Sequence, residues 1–438
     1  MFIKKLERVS PLNLYFVLRE LEHPFILMSA EKHNKKARFT YLSAVPEFIV
    51  SIHERGTYLD GKKVSKEKNP FKGLKGFMKH SVSGERFMGG LVGYIAYDAV
   101  HNYIEGNVEE PSVFGYYPWT YIYDHLENKL YFVSLEEPPF DPEVMVEKAK
   151  RVEVPRDDGG SSILKTDANK EEFIEIVEKG KEYIFSGDVF QVVLSREYVV
   201  ETDLDPFTIY LRLLDINPSP YTFLLEFEKV MVGASPETMG SVEGKIVKIN
   251  PIAGTAPRGR NEEEDKALER ALLSDEKERA EHVMLVDLAR NDVRRVSKPR
   301  SVKVVRYFDV VKYSHVQHIE SEVIGELADD KDMFDAIEAT FPAGTLTGAP
   351  KIRAMEIIDE LEKSRRRVYG GAVGYFSVTG YADFAIAIRM AEIDKHAHIR
   401  AGAGIVADSI PEKEFNETEN KMRAVLKAFG VEQHDSDN

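Results

Sequence analysis

Two sets of carboxylates at helical spacing are the residues best placed to do chemistry in this 438-residue chain. Glu278 and Glu281 are three apart, and Glu414, Glu417 and Lys421 stand at i, i+3 and i+7. Residues so spaced share one face of a helix. Ser274 is expected to cap the first helix, placing Asp275 and Glu276 in a first turn where negative charge meets the positive helix end. The second helix is expected to begin near Pro411. Two such faces set against each other would form an all-oxygen site with room for water and a ligand carboxylate, which is magnesium rather than zinc chemistry. Solvated faces of an acidic protein carry the same spacing, so these carboxylates alone leave both readings open.

The remaining motifs narrow the chemistry by exclusion. Gly344-Thr-Leu-Thr-Gly-Ala-Pro-Lys351 is superficially like a phosphate loop, but a P-loop needs glycine directly before its lysine and here Pro350 stands there. ATP is therefore not expected. A loop of backbone amides ahead of a helix over 351–362 remains, suited to a carboxylate. Ala401-Gly-Ala-Gly404 lacks dinucleotide-binding spacing, and neither a Gly-x-Ser-x-Gly elbow nor a His-Glu-x-x-His pair occurs. His318 lies in an alternating run and, taken alone, reads as an ordinary strand histidine. The glycines of Gly89-Gly-Leu-Val-Gly-Tyr94 read as a tight strand or bulge.

Composition sets the frame for these motifs. Lys and Arg number 59 against 74 Asp and Glu, a net charge of −15, which argues against nucleic acid or anionic membrane as partner. No apolar run approaches the roughly 20 residues of a membrane helix and no secretory signal is visible, so a cytoplasmic protein is expected. The chain has no cysteine, which excludes disulfides, thiolate metal sites and any thiol nucleophile of its own. With 43% apolar residues it can fill a large core.

The elements that must position the motifs fall into two stretches. An N-terminal region over 1–160 holds an early helix after Ser10-Pro11 and short strands at Phe39-Thr-Tyr-Leu42, Glu47-Phe-Ile-Val-Ser-Ile52 and Lys129-Leu-Tyr-Phe-Val133. Pro138, Pro139, Pro142 and Pro155, then Gly159-Gly160, mark a connection. A catalytic region over 161–430 alternates helices and strands, with helices expected at 170–186 and 275–292, and a frayed tail follows over 431–438. No internal repeat is present.

Taken in order, nine stretches carry a resemblance. They are Gly187-Asp-Val-Phe-Gln-Val-Val-Leu-Ser-Arg196, Asn217-Pro-Ser-Pro-Tyr221, Gly233-Ala-Ser-Pro-Glu237, Pro251-Ile-Ala-Gly-Thr255, Glu278-Arg-Ala-Glu-His282, Gly344–Lys351, Tyr369-Gly-Gly-Ala-Val-Gly-Tyr375, Ile388-Arg389 and Glu417-Thr-Glu-Asn-Lys421. The chain resembles the chorismate-utilising enzymes, most closely their anthranilate-forming branch. The resemblance implies an α+β fold of two large, mostly antiparallel sheets packed as a sandwich with helices outside, both halves of the chain contributing.

It also implies roles. Glu281 and Glu417 would hold Mg²⁺, with Glu278 and Glu414 supporting through water, and the metal would receive the ring carboxylate of chorismate. Tyr369 and Arg389 would grip the enolpyruvyl group, while Gly402 and Lys421 would complete the anion site. Glu237 matches the family's acid, which protonates the departing C4 hydroxyl, and Thr345 falls in the same catalytic set. Water-adding members carry a lysine base where this chain has Gln191, a neutral amide that can hydrogen-bond ammonia. The branch making 4-amino-4-deoxychorismate carries a nucleophilic lysine where this chain has Ala253, followed by Gly254 and Thr255. Ammonia addition at C2 followed by pyruvate loss to anthranilate, the first committed step of tryptophan biosynthesis, is therefore expected, with His318 serving the second stage. The rival outcomes are 4-amino-4-deoxychorismate and a reaction that stops before pyruvate leaves.

Two expectations concern partners. Without cysteine the chain cannot release ammonia from glutamine as thiol amidotransferases do, so it needs a separate glutamine amidotransferase subunit or free ammonium. Feedback-regulated relatives resemble Leu-Leu-Glu-Ser near the N-terminus and use that Glu for the amino group of L-tryptophan. Here Met28 takes the acidic position beside Ser29, while Pro220 and Tyr221 keep the opposite wall. Tryptophan inhibition is expected to be weakened, or to use another carboxylate such as Glu31.

Overall fold

A computed structural model describes residues 1–29, 38–155, 157–312 and 316–431. Glu31 and the tail beyond Val431 lie outside the described residues. Among those described, the strands form two twelve-stranded sheets. In the first, Phe25–Met28 pairs with Tyr221–Glu226, followed by Val230–Ser235, Met390–Ile393, Ala397–Ile405 and Gln191–Thr202. In the second, Ile252–Pro257, Val316–Glu326, Ile246–Ile249, Thr238–Glu243, Ala382–Ile386, Ala372–Ser377 and Gly90–Ile95 lie side by side in that order. These pairings are antiparallel, and each sheet joins strands from either side of residue 160.

The sheets pack face to face because strand alternation turns one apolar row of each inward. Phe25, Tyr41 and Phe223 of the first meet Tyr94, Phe114, Phe376 and other buried residues of the second in one core. Burial of each such ring contributes on the order of 2 kcal/mol. Helices cover the outer faces. Lys170–Phe185 and Lys351–Leu361 lie over the Gln191–Thr202 and Ala397–Ile405 strands through Phe173, Ile357, Leu194 and Ala403. Pro411–Ala428 packs through Met422, Val425 and Leu426. The glycine cluster at 89–94 is the buried strand Gly90–Ile95, where a Cβ on Gly93 would run into the carbonyl of Val113. No helix among the described residues is long and apolar enough to cross a membrane.

One expected helix start is corrected. Asp275, not Ser274, caps the helix Glu276–Arg294, accepting from the amides of Lys277 and Glu278 at 2.9 and 3.1 Å. Ser274 is the last residue of the preceding helix Glu262–Ser274, and its hydroxyl turns back to the Arg270 carbonyl at 2.7 Å. The two helices abut at Asp275, where a carboxylate is a stronger acceptor than a hydroxyl and also suits the positive helix end. Ser10 likewise precedes the helix Pro11–Leu18 without making a side-chain cap bond.

Candidate active site

Two of the chain's passages from one sheet to the other lie at neighbouring points, and each carries a candidate residue. Val230–Ser235 belongs to the first sheet and Thr238–Glu243 to the second, so Glu237 sits in the crossing. Ala382–Ile386 belongs to the second and Met390–Ile393 to the first, so Arg389 sits in the other. The crossings are tied together, with the Ile386 amide donating to the Glu237 carbonyl and the Ala234 amide to the Arg389 carbonyl, both at 3.0 Å. Arg389 is held at φ 52°, a left-handed conformation uncommon outside glycine and frequent at functional sites.

Glu237 is partly exposed, yet the protein around it strips its hydration and pushes its carboxyl up to about 7. The Thr345 hydroxyl donates to its Oε1 at 2.8 Å, and that bond and the Lys421 ammonium pull the other way. The Gly344–Lys351 loop thus brings a hydroxyl to the acid. The Leu346 and Thr347 amides are taken by the carbonyls of Ala343 and Gly344, and Lys351 is paired with Asp292 at 2.8 Å. These groups are accordingly not presented to an anion.

The carboxylates of the helices Glu276–Arg294 and Pro411–Ala428 lie close enough to influence one another, which their spacing alone left open. Burial raises Glu281 above the ordinary range, reinforced by Glu278 and Glu417. Burial also raises Glu278, followed by Asp275 and, more weakly, Glu417, and raises Glu414, again reinforced by Glu417. Carboxylates from two helices therefore repel one another across a shared space. Lys421 offsets part of this, pairing with Glu417 at 2.5 Å and donating to the Gly402 carbonyl at 2.9 Å. Among the described residues no three His, Asp or Glu side chains are gathered into a finished metal site. The donor set is nevertheless all oxygen and mutually repelling, which fits a hard divalent cation such as Mg²⁺.

Around this space stand the other expected binding residues. Arg389 is partly buried, and the loss of hydration lowers its pKa against the pull of Tyr369 and Glu417, while its Nη1 donates to the Lys421 carbonyl at 3.1 Å. Tyr369 is buried, its hydroxyl pushed up to about 12 by burial, and lies 3.1 Å from where a Cβ on Gly402 would be. His318 donates from Nδ1 to the Gly254 carbonyl at 2.8 Å and lies 3.1 Å from the Thr255 hydroxyl. Burial lowers its pKa, against the Gly254 hydrogen bond and with the help of Arg389. The register slips between Ala253 and Thr255, Gly254 takes φ 65°, and a Cβ there would come 3.0 Å from Glu278 Oε2. Ala253 itself is buried and offers no nucleophile. Gln191 is 4% exposed, its Oε1 finds no hydrogen-bond partner among the described residues, and a Cβ on Gly404 would fall 2.6 Å from its Nε2.

Met28, Ser29, Pro220 and Tyr221 come together elsewhere, on the wall of a cavity of about 420 Å³ between the sheets. Ser29 Oγ is buried without a partner among the described residues. The same cavity is lined by Arg38, Arg86, Glu85, Glu243 and Asp383, which were not singled out from the sequence. Tyr221 is aimed by hydrogen bonds to Thr238 at 2.8 Å and Asp383 at 3.0 Å. Asp383 lies 162 residues from Tyr221, so only the second sheet's topology brings it there. Arg366 was also missed. It pairs with Glu362 at 2.7 Å, holds the Leu346 carbonyl at 2.6 Å and lies 5.7 Å over Tyr369, bracing both the loop and the tyrosine. Its i, i+4 spacing from Glu362 was the available signal.

Residues 22–427 match the family described as chorismate binding enzyme. The chain is 71% identical to anthranilate synthase component 1 of Thermococcus kodakarensis, covering 98% of this chain and 99% of that protein. It is 54% identical to anthranilate synthase component 1 of Archaeoglobus fulgidus, covering 98% of this chain and 100% of the other. Its fold superposes on the crystal structure of anthranilate synthase component I from Streptococcus pneumoniae with a TM-score of 0.79 at 37% identity, over 90% of this chain and 93% of that one.

Proposed function

This chain belongs to the chorismate binding enzymes, and from that premise we propose that it is the large subunit of an anthranilate synthase, adding ammonia to chorismate and releasing pyruvate. The observation that carries the reading is Glu237, a carboxyl pushed up to about 7 that accepts from the Thr345 hydroxyl in one of two adjoining crossings between the sheets, with Arg389 in the other. In the first stage Glu237 gives its proton to the C4 hydroxyl, which leaves as water instead of hydroxide. A bond forms between ammonia nitrogen and C2 as the ring double bonds shift and the C4–O bond breaks. Gln191 supports this stage as a neutral amide whose free Oε1 can accept an N–H of ammonia. It cannot deprotonate water, so hydroxylation is disfavoured.

In the second stage the C2 proton and the enolpyruvyl group leave, giving anthranilate and pyruvate. His318 is fixed through Nδ1 by the Gly254 carbonyl, which leaves Nε2 to accept or orient the ring proton. Arg389 and Tyr369 hold the enolpyruvyl carboxylate, with Lys421 and the backbone at Gly402 beside them. Bound Mg²⁺, held by Glu281 and Glu417 with Glu278 and Glu414 behind them, would neutralise these carboxylates and accept the ring carboxylate of the substrate. Ala253 leaves no lysine for the covalent route to 4-amino-4-deoxychorismate. Lacking cysteine, the chain uses glutamine only with a glutaminase subunit.

The 420 Å³ cavity is the place for a tryptophan effector. Met28 cannot pair with its ammonium, so inhibition is weak or relies on Glu31 or on a carboxylate of the cavity wall such as Asp383. The function is tested by giving the purified chain chorismate, Mg²⁺ and ammonium at alkaline pH and following anthranilate fluorescence. Product is expected; no product under these conditions refutes the reading.

A further inference from the structure

A second, much smaller cavity of about 30 Å³ lies against Glu237. Leu285, Ala289 and Asp292 of the helix Glu276–Arg294 line it, about one, two and three turns beyond Glu281. It therefore follows the helix away from the metal carboxylates, and its described wall includes none of the residues assigned to substrate or metal. Glu237, Thr345, Thr340, Asn250 and Asp292 give that wall its polar groups. A water needs roughly 10–15 Å³ of such space and two to four polar partners, so the cavity suits about one or two waters. Asp292 stands at the far end, between the exposed helix residues Asn291 and Arg295. Its Oδ2 takes the Lys351 ammonium at 2.8 Å, and the two side chains keep 12% and 13% of their surface exposed. Loss of hydration raises the Asp292 carboxyl, against Lys351 and then Arg295. Among the described lining residues, Glu237 and Asp292 are the two that can carry a transferable proton.

We propose that this cavity is the proton-return route of Glu237, along which Asp292 restores the acid through bound water after each turnover, an inference that rests on the function proposed above. Once Glu237 has given its proton to the C4 oxygen it is a carboxylate, and the groups facing it from the other elements cannot recharge it. The Thr345 hydroxyl is too weak an acid, and Lys421 is committed to Glu417 and the Gly402 carbonyl. Asp292 is reached without crossing the substrate. In each cycle the Glu237 O–H bond breaks and its proton joins the C4 oxygen, which departs as water. A cavity water then passes a proton to Glu237 and takes one from Asp292, which regains its own from solvent beside Lys351. The nitrogen newly bonded to C2 gives one proton up, so one enters, one leaves and charge is conserved. Lys351 holds the Asp292 carboxylate in place between transfers.

The test separates the first turnover from those that follow. In resting enzyme Glu237 has equilibrated with solvent, so a broken relay spares the first turnover and slows the later ones. Full-length wild type, Asp292→Asn and Ala289→Val are mixed rapidly with excess chorismate, Mg²⁺ and ammonium, and anthranilate fluorescence is followed from the first turnover onward. Ala289, 4% exposed, lines the passage, and valine there crowds it while leaving Glu237, Asp292 and Lys351 in place. Both variants are expected to make one anthranilate per chain at the wild-type rate and then to run about 10-fold or more slower than wild type. A wild-type steady rate in Asp292→Asn would overturn the proposal. So would a first turnover slowed as much as the steady rate, since Asp292 would then only support the structure. Should Asp292→Asn fail to fold with Lys351 left unpaired, Ala289→Val decides by the same two criteria. If wild type itself makes no anthranilate, the function proposed above fails and the relay fails with it.

Discussion

Replacing Glu237 by Gln isolates the proton that the first stage needs. Burial lifts this carboxyl from an ordinary 4.5 to about 7. At pH 7 it is then about half protonated, whereas an unperturbed carboxyl would be about 0.3% protonated, so the environment raises the acid's abundance roughly 150-fold. General acid catalysis itself is worth about 10²–10⁴ in rate. Glu237→Gln keeps the size and the Thr345 contact but has no acidic proton, so kcat is expected to fall by about that factor with chorismate binding retained. The assay holds the concentration of NH₃, not total ammonium, constant across pH and follows anthranilate fluorescence. Wild-type rate should drop about tenfold per pH unit above neutrality as Glu237 ionises, and this limb should be missing in the variant. Stability supplies a second readout. A folded-state pKa above the unfolded value means that the native protein binds the extra proton, so stability falls as pH rises from about 4.5 through about 7. Allowing for its partial exposure, Glu237→Gln should gain about 1–2 kcal/mol at pH 8 and nothing at pH 4. A variant within tenfold of wild-type turnover, or one that keeps the alkaline limb, would refute the assignment.

Other predictions follow from single contacts. Glu281→Ala should abolish turnover at any Mg²⁺ concentration, while the melting temperature holds or rises because a buried, repelled carboxylate is gone; Mg²⁺-dependent activity persisting in the variant would remove Glu281 from the metal set. Gly404→Ala should push against the Gln191 amide, whose Nε2 lies 2.6 Å from the new Cβ, and lower ammonium-fed turnover about 10-fold or more with little change in fold. Unchanged kinetics would show that Gln191 is not held there during turnover. Met28→Glu should tighten tryptophan in the 420 Å³ cavity by about tenfold or more through a charge-assisted hydrogen bond, read by calorimetry. No gain would mean that Glu31 or Asp383 already supplies the partner.

The chemistry was more legible than the architecture, for a physical reason. Glu278/Glu281 and Glu414/Glu417/Lys421 announce themselves because three- and four-residue spacing survives folding unchanged on a helix. Whether those faces are solvated or shared depends on where the helix Glu276–Arg294 lies against Pro411–Ala428, and local periodicity is silent on that. The two sheet crossings that carry Glu237 and Arg389 are tied together by backbone hydrogen bonds although these residues are 152 apart in sequence, which no local pattern encodes. Asp383 joins the cavity with Met28 and Tyr221 for the same reason. The capping error was local: Ser274 and Asp275 are both good caps, and the choice between them turned on the preceding helix running as far as Ser274. Gln191 could be recognised by its type, but its buried, unpartnered oxygen belongs to the fold.

The central claim, that ammonia rather than water or an enzyme lysine attacks chorismate here and that pyruvate then leaves, is tested most directly by product analysis. The purified chain is given chorismate, Mg²⁺ and ¹⁵N-ammonium in ¹⁸O-water, and products are identified by mass spectrometry. Anthranilate carrying ¹⁵N, with one pyruvate released per anthranilate, is predicted. An ¹⁸O-hydroxylated ring, or a ¹⁵N-labelled ring that still carries its enolpyruvyl group, would contradict the account.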